Sequence, residues 1–133
     1  MVDKEIILEW LQKADEDFKF ALVNYEERKQ FFAQICFHFQ QAAEKYLKAY
    51  IIANDLDFRK IHDLVALLKI CILKDPSFEQ LKTDCEFLVT YYVDTRYPVH
   101  WPTNFSLENT QKALEATRRI QSLIMQKLRP ITY

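Results

Sequence analysis

Apolar residues return along this chain at steps of three and four. Ile7, Trp10, Leu11, Ala14, Phe18, Ala21, Leu22 and Tyr25 form one stripe in segment 4–28, which predicts an amphipathic helix of several turns. Segment 31–53 repeats the pattern with Phe32, Ile35, Phe39, Ala42, Ala43, Tyr46, Leu47 and Tyr50, and Asn54-Asp55 marks its end. A shorter helix is predicted over 62–74, with Leu64, Leu67, Leu68, Cys71 and Ile72 on its apolar side and Asp63 in its acidic first turn. Pro76 breaks the chain there, and Ser77-Phe-Glu-Gln80 offers a capping box for a following helix with Leu81, Cys85, Leu88, Val89 and Tyr92 in its stripe. That helix is expected to stop near Tyr97, because the residue before Pro98 is pushed out of the α region. Pro98 to Phe105 reads as a stiff loop. Ser106 then caps a last helix running through Leu107, Ala113, Leu114, Thr117, Ile120, Ile124 and Leu128 to Pro130.

Four long amphipathic helices and one short one bury their stripes only against each other. The expectation is an all-α fold, an antiparallel up-and-down helical bundle formed by a single domain over residues 1–133. Length changes nothing in this picture, since 133 residues suffice for one core. Glycine changes more, because there is none. A P-loop and a GxGxxG dinucleotide turn need glycine backbone at fixed places, so both are excluded.

No window reaches the eighteen or so apolar residues of a membrane span, and the first residues lack the basic-then-apolar order of a secretory signal. Cys36, Cys71 and Cys85 are odd in number and far apart, which suggests neither a disulfide framework nor a zinc knuckle. They read as small core residues of a reduced, cytoplasmic protein. The formal charge is −1, but residues 1–30 hold eight acids and five bases, while residues 111–133 hold five bases and one acid. The basic last helix suits phosphate, an acidic partner or, most simply, the acidic first helix packed against it.

Chemistry concentrates in two places. On the second helix Gln34, His38, Gln41, Lys45 and Lys48 fall within an arc of about 80°, beside the apolar stripe. Such a seam suits a phosphate, a nucleobase edge or a partner's carboxylates; an ordinary solvated face with one stray histidine is the plainer alternative. Phe37 projects on the same polar side, as a subunit contact would. The second cluster, Tyr91-Tyr92-Val-Asp94-Thr-Arg96-Tyr97-Pro-Val-His100-Trp101, combines an arginine fork for phosphate with rings on which a base stacks. A histidine beside such an arginine is equipped to take the 2′-hydroxyl proton of RNA while the arginine stabilises charge on phosphorus. The structural alternative pairs Arg96 with Asp94 or another acid and uses the rings to plug the end of the bundle. His62 reads as a helix-entry residue. Three scattered histidines without HxxxH or ExxH spacing predict no metal site, and no cofactor is expected.

Taken in order, these residues resemble the HEPN family, helical domains named for higher eukaryotes and prokaryotes nucleotide-binding. The resemblance rests on Trp10-Leu-Gln-Lys-Ala14-Asp15-Glu-Asp17, on Cys36-Phe-His-Phe-Gln-Gln-Ala-Ala-Glu-Lys-Tyr-Leu-Lys-Ala49, on His62-Asp-Leu64 with Leu67-Leu68, and on Tyr92…Arg96-Tyr97-Pro98. It spans nearly the whole chain. It implies a bundle of about four long helices plus a short one, a two-fold homodimer, and a minimal nucleotidyltransferase as partner in a toxin–antitoxin or nucleotide-handling pair. Many members are metal-independent ribonucleases using an arginine and a histidine separated by four to six residues. Here Arg96 and His100 enclose three residues, one short of that pattern, with Pro98 stiffening the spacer. The tyrosine two positions beyond the histidine, where a partner attaches nucleotide in some members, is replaced by Pro102.

The expectation is therefore a dimeric HEPN-like module that binds nucleotide or RNA, a nucleotidyltransferase partner, or both, with a degenerate nuclease motif. Arg96 and Lys45, with Lys48 beside it on the seam, are assigned to phosphate, His38 and Gln41 to positioning, and Tyr97 to stacking. The rival is an active ribonuclease in which Arg96 and His100 are catalytic. A purely structural interaction module is the third reading.

Overall fold

The computed structural model describes residues 3–27, 30–57, 60–94 and 106–132. Among these, every regular element is helical: α1 (Lys4–Glu26), α2 (Phe32–Ala53), α3 (Leu64–Lys74), a 3-10 stretch (Pro76–Leu81), α4 (Lys82–Leu88), α5 (Thr90–Asp94) and α6 (Leu107–Thr132).

The helix ends follow local side-chain chemistry. Asp3 accepts from the Glu5 amide at 2.9 Å to open α1, Asp63 accepts from Val65 and Ala66 to open α3, and the Ser106 hydroxyl accepts from Asn109 to open α6. The C-terminus of α2 needs a left-handed residue and has no glycine to use. Asp55 takes that conformation at φ 56°, so that Leu56 N–H reaches Ile51 O at 2.9 Å and Asp55 N–H reaches Ile52 O at 3.0 Å. This is a Schellman closure in which a short polar side chain replaces glycine. Leu56 packs back on the core beyond it.

Two expectations fail at the fourth helix. The Ser77–Gln80 capping box does not form, because Pro76 already occupies the first turn and Asp75 caps it by accepting from Ser77 N–H at 3.0 Å; Gln80 instead donates to Ser77 O at 2.8 Å. The helix is also broken rather than continuous. At Val89 the Thr90 hydroxyl takes Phe87 O at 3.0 Å, and Tyr92 N–H bonds the i−3 carbonyl of Val89, tightening the chain within the β-branched pair Val89-Thr90. Farther on, α6 runs through Pro130 to Thr132, two residues past the expected stop.

The pairings fix the topology. Trp10 lies over Lys48, and Asp17 meets both Lys45 and His38, so α1 and α2 are antiparallel. Asp84 with Arg119 and Asp75 with Lys127 set the 75–94 stretch antiparallel to α6. Cys36 meets Thr110, Phe39 meets Thr117 and Tyr46 meets Gln121, so α2 and α6, second and fourth of the up-and-down order, run the same way. The helix α2 is the hub, touching α1, α3, α4, α5 and α6, with Ile35, Phe39, Tyr46, Leu47 and Ile51 fully buried. Alanines take the place of the missing glycines where helices approach: Ala14 and Ala21, Ala42, Ala43 and Ala49, and Ala113 are all fully buried. Buried hydroxyls are satisfied locally, Thr117 donating to Ala113 O and Thr110 to Ser106 O. The three cysteines are free, buried core thiols.

Among the described residues the basic end of α6 does not pair with the acidic first helix. Arg119 and Lys127 take Asp84 and Asp75, because the 3-10 stretch and α4 lie alongside that face, while the α1 acids turn to α2.

The Schellman closure predicts a sharp side-chain requirement at position 55. Asp55→Val forces a β-branched residue to positive φ and is expected to lower stability by about 1–2 kcal/mol, whereas Asp55→Gly leaves it unchanged or slightly raised. Denaturant midpoints of the two variants check this.

Candidate functional site

Burying α2 on most sides brings its polar residues indoors, where they form two clusters. The first lies between α1 and α2. Asp17 accepts from Lys45 Nζ and lies 3.0 Å from His38 Nδ1. His38 sits between two phenyl rings, Phe20 at 4.4 Å between centroids and Phe37 edge-on at 5.6 Å, so Phe37 packs against the seam it shares. One turn along, Tyr46 donates to Asp15 and accepts from Gln121 at 2.9 Å, tying α1, α2 and α6 together.

The second cluster lies between α2, α3 and α5. Lys48 donates to Glu44 at 2.9 Å, and their side chains are only 5% and 6% exposed. Glu44 also receives Gln40 Nε2, while Gln41 donates to Gln40 at 2.8 Å. The half-exposed His62 brings Nδ1 to 3.2 Å from Glu44 and 3.3 Å from Lys48. Its ring stacks on Tyr92 with planes 7° apart. Trp10 covers the ammonium from the α1 side at 5.9 Å.

These pairings set the electrostatics. Burial pushes the Asp17 carboxyl up, but the His38 and Lys45 hydrogen bonds outweigh it and hold the group below its ordinary value. Burial, reinforced by the Asp15 carboxylate, pushes the Tyr46 phenol up and keeps it protonated. Burial also raises the thiols, Cys36 to about 11 and Cys71 to about 12, so neither is a thiolate nucleophile near neutral pH.

Of the residues singled out in the sequence, His38, Gln41, Lys45 and Lys48 share one side of α2, but they differ in access. His38 and Lys45 are part-exposed, and Lys45 borders a groove of about 480 Å³ with Glu9, Trp10, Gln12, Lys13 and Glu16. Lys48 lies beneath the surface against Glu44. Arg96, Tyr97 and His100 lie outside the described residues. The solvated-face alternative describes this seam only in part: Gln34 is exposed, His38, Gln41 and Lys45 are half-buried, and Lys48 is buried. Sequence reasoning missed the acids Asp17 and Glu44 and the partner His62. A signal was present in Glu44-Lys45-Tyr-Leu-Lys48, an i,i+4 acid–base pair; the α1 acid gave none, because interhelical register is not written in spacing. Among the described residues no group of three or more His, Cys, Asp or Glu is placed to hold a metal. No helix among them is long and apolar enough to cross a membrane.

Two stability outcomes follow. Asp17→Asn removes a carboxylate with a depressed folded value, so wild type is expected to exceed it by about 1–3 kcal/mol near neutral pH. That advantage is complete above the ordinary value of 3.8 and shrinks as pH falls through the lower folded value; denaturant midpoints between pH 7 and pH 2 read it. Lys48→Met strands a buried carboxylate and is expected to cost about 3–5 kcal/mol. Adding Glu44→Gln removes that charge and restores at least half of the loss, measurable by the same denaturation.

Comparison with known proteins gives this geometry a context. TT1696 from Thermus thermophilus is 26% identical, with a TM-score of 0.76 over 92% of this chain and 98% of that one. ST0689, described as an archaeal HEPN homologue, is 20% identical, with a TM-score of 0.72 over 92% and 97%. No curated protein matches significantly. The HEPN domain itself matches residues 7–128, which takes in both polar clusters and every described helix but the ends of the first and last. The chain belongs to the HEPN domain family.

Proposed function

We propose that the chain is a homodimeric HEPN-type module of the cytoplasm that binds nucleotide or RNA through phosphate. A minimal nucleotidyltransferase serves as its protein partner, in the manner of a toxin–antitoxin pair. One observation carries the ligand reading: the His62–Tyr92 stack joins the α2 seam to α5. Arg96 and Tyr97 follow Asp94, the last described residue of α5, by two and three positions in the sequence, and at most about 3.6 Å of chain per residue bounds the Tyr92-to-Arg96 span at about 14 Å.

The charge balance supports a division of labour. Lys45 and His38 share the carboxylate of Asp17, and Lys48 shares that of Glu44. The seam is therefore close to neutral as it stands, and an arriving phosphate competes with acids already in place. In this reading Arg96 brings a further positive charge, Tyr97 a stacking face, and Lys45, His38 and Gln41 a polar wall. Lys48 holds that wall together from beneath. Catalysis is not part of this reading, because Arg96 and His100 stand one residue closer than the ribonuclease pattern and an angstrom of misplacement costs about a hundredfold in rate.

Titration with adenosine monophosphate and a short RNA tests the proposal. Arg96→Ala is expected to weaken binding about tenfold or more, as loss of a charged hydrogen-bonding fork does; equal binding by both proteins removes Arg96 from the site. Incubation with transfer RNA in a metal chelator is expected to leave the RNA intact. Cleavage that disappears in His100→Ala would replace this reading with the ribonuclease one.

A further inference from the structure

The cationic face of α6 has no part in the function proposed above. Gln111, Arg118, Arg119, Ser122, Gln126 and Arg129 are exposed and share an arc of about 100°. Beside them runs a groove of about 310 Å³, bounded by Gln80 of the 3-10 stretch and by Arg118, Arg119, Ser122 and Gln126 of α6. It shares no residue with the clusters on α2.

One side of this groove is held rigidly. Asp84, whose side chain is 10% exposed, receives Arg119 Nε at 3.1 and 3.0 Å on its two oxygens and Arg119 Nη2 at 2.8 Å. That bidentate grip fixes the guanidinium plane. Nη1 takes no part in it, and the arginine remains 58% exposed. A buried carboxylate orienting a half-exposed arginine is an arrangement that lowers the ordering cost of binding. Arg118 lines the same groove from the next position on α6 and adds a second guanidinium to it.

The lining chooses between two polyanions. Leu81 and Leu123, the apolar members of the groove, are 2% and 8% exposed, so no apolar anchor is offered. Protein interfaces centre on such anchors. Phosphate contacts are made instead by Arg, Ser and Gln side chains.

We propose that this groove is a phosphate site, in which Arg118 and the Asp84-held Arg119 grip a phosphodiester of an RNA strand and Ser122, Gln126 and Gln80 donate to its oxygens. The proposal rests on the reading of the chain as a nucleotide or RNA binder. Two carboxylates share the arc: Glu108, a turn before the groove beside Lys112, and Glu115, which lies next to the groove and opposes the anion.

The test uses Arg118→Gln and Glu115→Gln, both at exposed positions, with thermal melts confirming the fold. Binding of a labelled 20-residue oligouridine is followed by fluorescence anisotropy across salt, beside adenosine monophosphate, inorganic phosphate and polyglutamate. Arg118→Gln is expected to weaken RNA binding about fivefold to tenfold at low salt and to flatten the salt slope by about 0.7. Glu115→Gln is expected to tighten binding about twofold. Equal loss for adenosine monophosphate or inorganic phosphate supports the site and identifies free phosphate compounds as a source. Unchanged binding in both variants overturns the proposal, as does polyglutamate binding with the same Arg118 dependence. If Arg96→Ala loses RNA while Arg118→Gln does not, the groove falls and the function proposed above stands. The reverse keeps the groove and removes Arg96. Wild-type protein that binds none of the phosphate probes overturns both.

Discussion

The structure depends on one constraint: α2 is enclosed on so many sides that its polar residues have nowhere to go but inward. A helix with Gln40, Glu44 and Lys48 buried beside Phe39, Tyr46, Leu47 and Ile51 is stable only if each of those groups finds a partner within the protein. Glu44 answers Lys48, His62 and Gln40; Asp17 answers Lys45 and His38. Burying an ammonium without a carboxylate costs several kcal/mol, so Asp17 and Glu44 are as much part of this packing as the aliphatic residues around them. The same pairings choose the register, because sliding α1 by one residue along α2 would separate Asp17 from Lys45 and Asp15 from Tyr46 together.

This constraint has a consequence for function. Cations that stabilise a bundle by pairing with its acids are not free positive charge. The long-range pull on a polyanion comes from charge that remains after local neutralisation, and on the α2 side Asp17 and Glu44 cancel most of it. On α6 the cancellation is partial: Asp84 and Asp75 each take one cation, while Arg118 and Arg129 add to the remainder. Two faces that look alike in a count of lysines and arginines therefore differ in what they offer a phosphate.

The division between what the sequence disclosed and what it withheld follows from range. Helices α1, α2, α3 and α6 are legible because each is a local periodic pattern bounded by local chemistry, and Ser106 and Asn54-Asp55 perform their terminal roles as expected. The broken fourth helix is less legible, since its apolar stripe continues smoothly through Val89 while a hydroxyl three residues from a carbonyl interrupts the backbone. Clustering His38, Gln41, Lys45 and Lys48 on one side of α2 is likewise a local fact. Their charge state as a group is not, because it depends on Asp17, more than twenty residues away, and on His62 beyond the turn. Periodicity also placed the seam beside the core; the turn of chain through His62 and the cover of Trp10 put part of it inside.

Alanine and aspartate stand where glycine serves in other bundles, and that substitution sets how rigid the scaffold is. Glycine permits left-handed turns and close helix approach but enlarges the unfolded ensemble. A chain without it loses less conformational freedom on folding at those positions, and accepts instead a strained backbone at Asp55. The result favours fixed helices whose polar clusters are held in place before any ligand arrives. Pre-positioned groups bind a phosphate with little further ordering, which makes the Asp84-held arginine and the Asp17-held lysine sites of defined geometry rather than mobile charges. Both pairs give up net charge to keep that geometry, so on α6 the exposed edge of Arg119 supplies orientation and its neighbour Arg118 the positive charge.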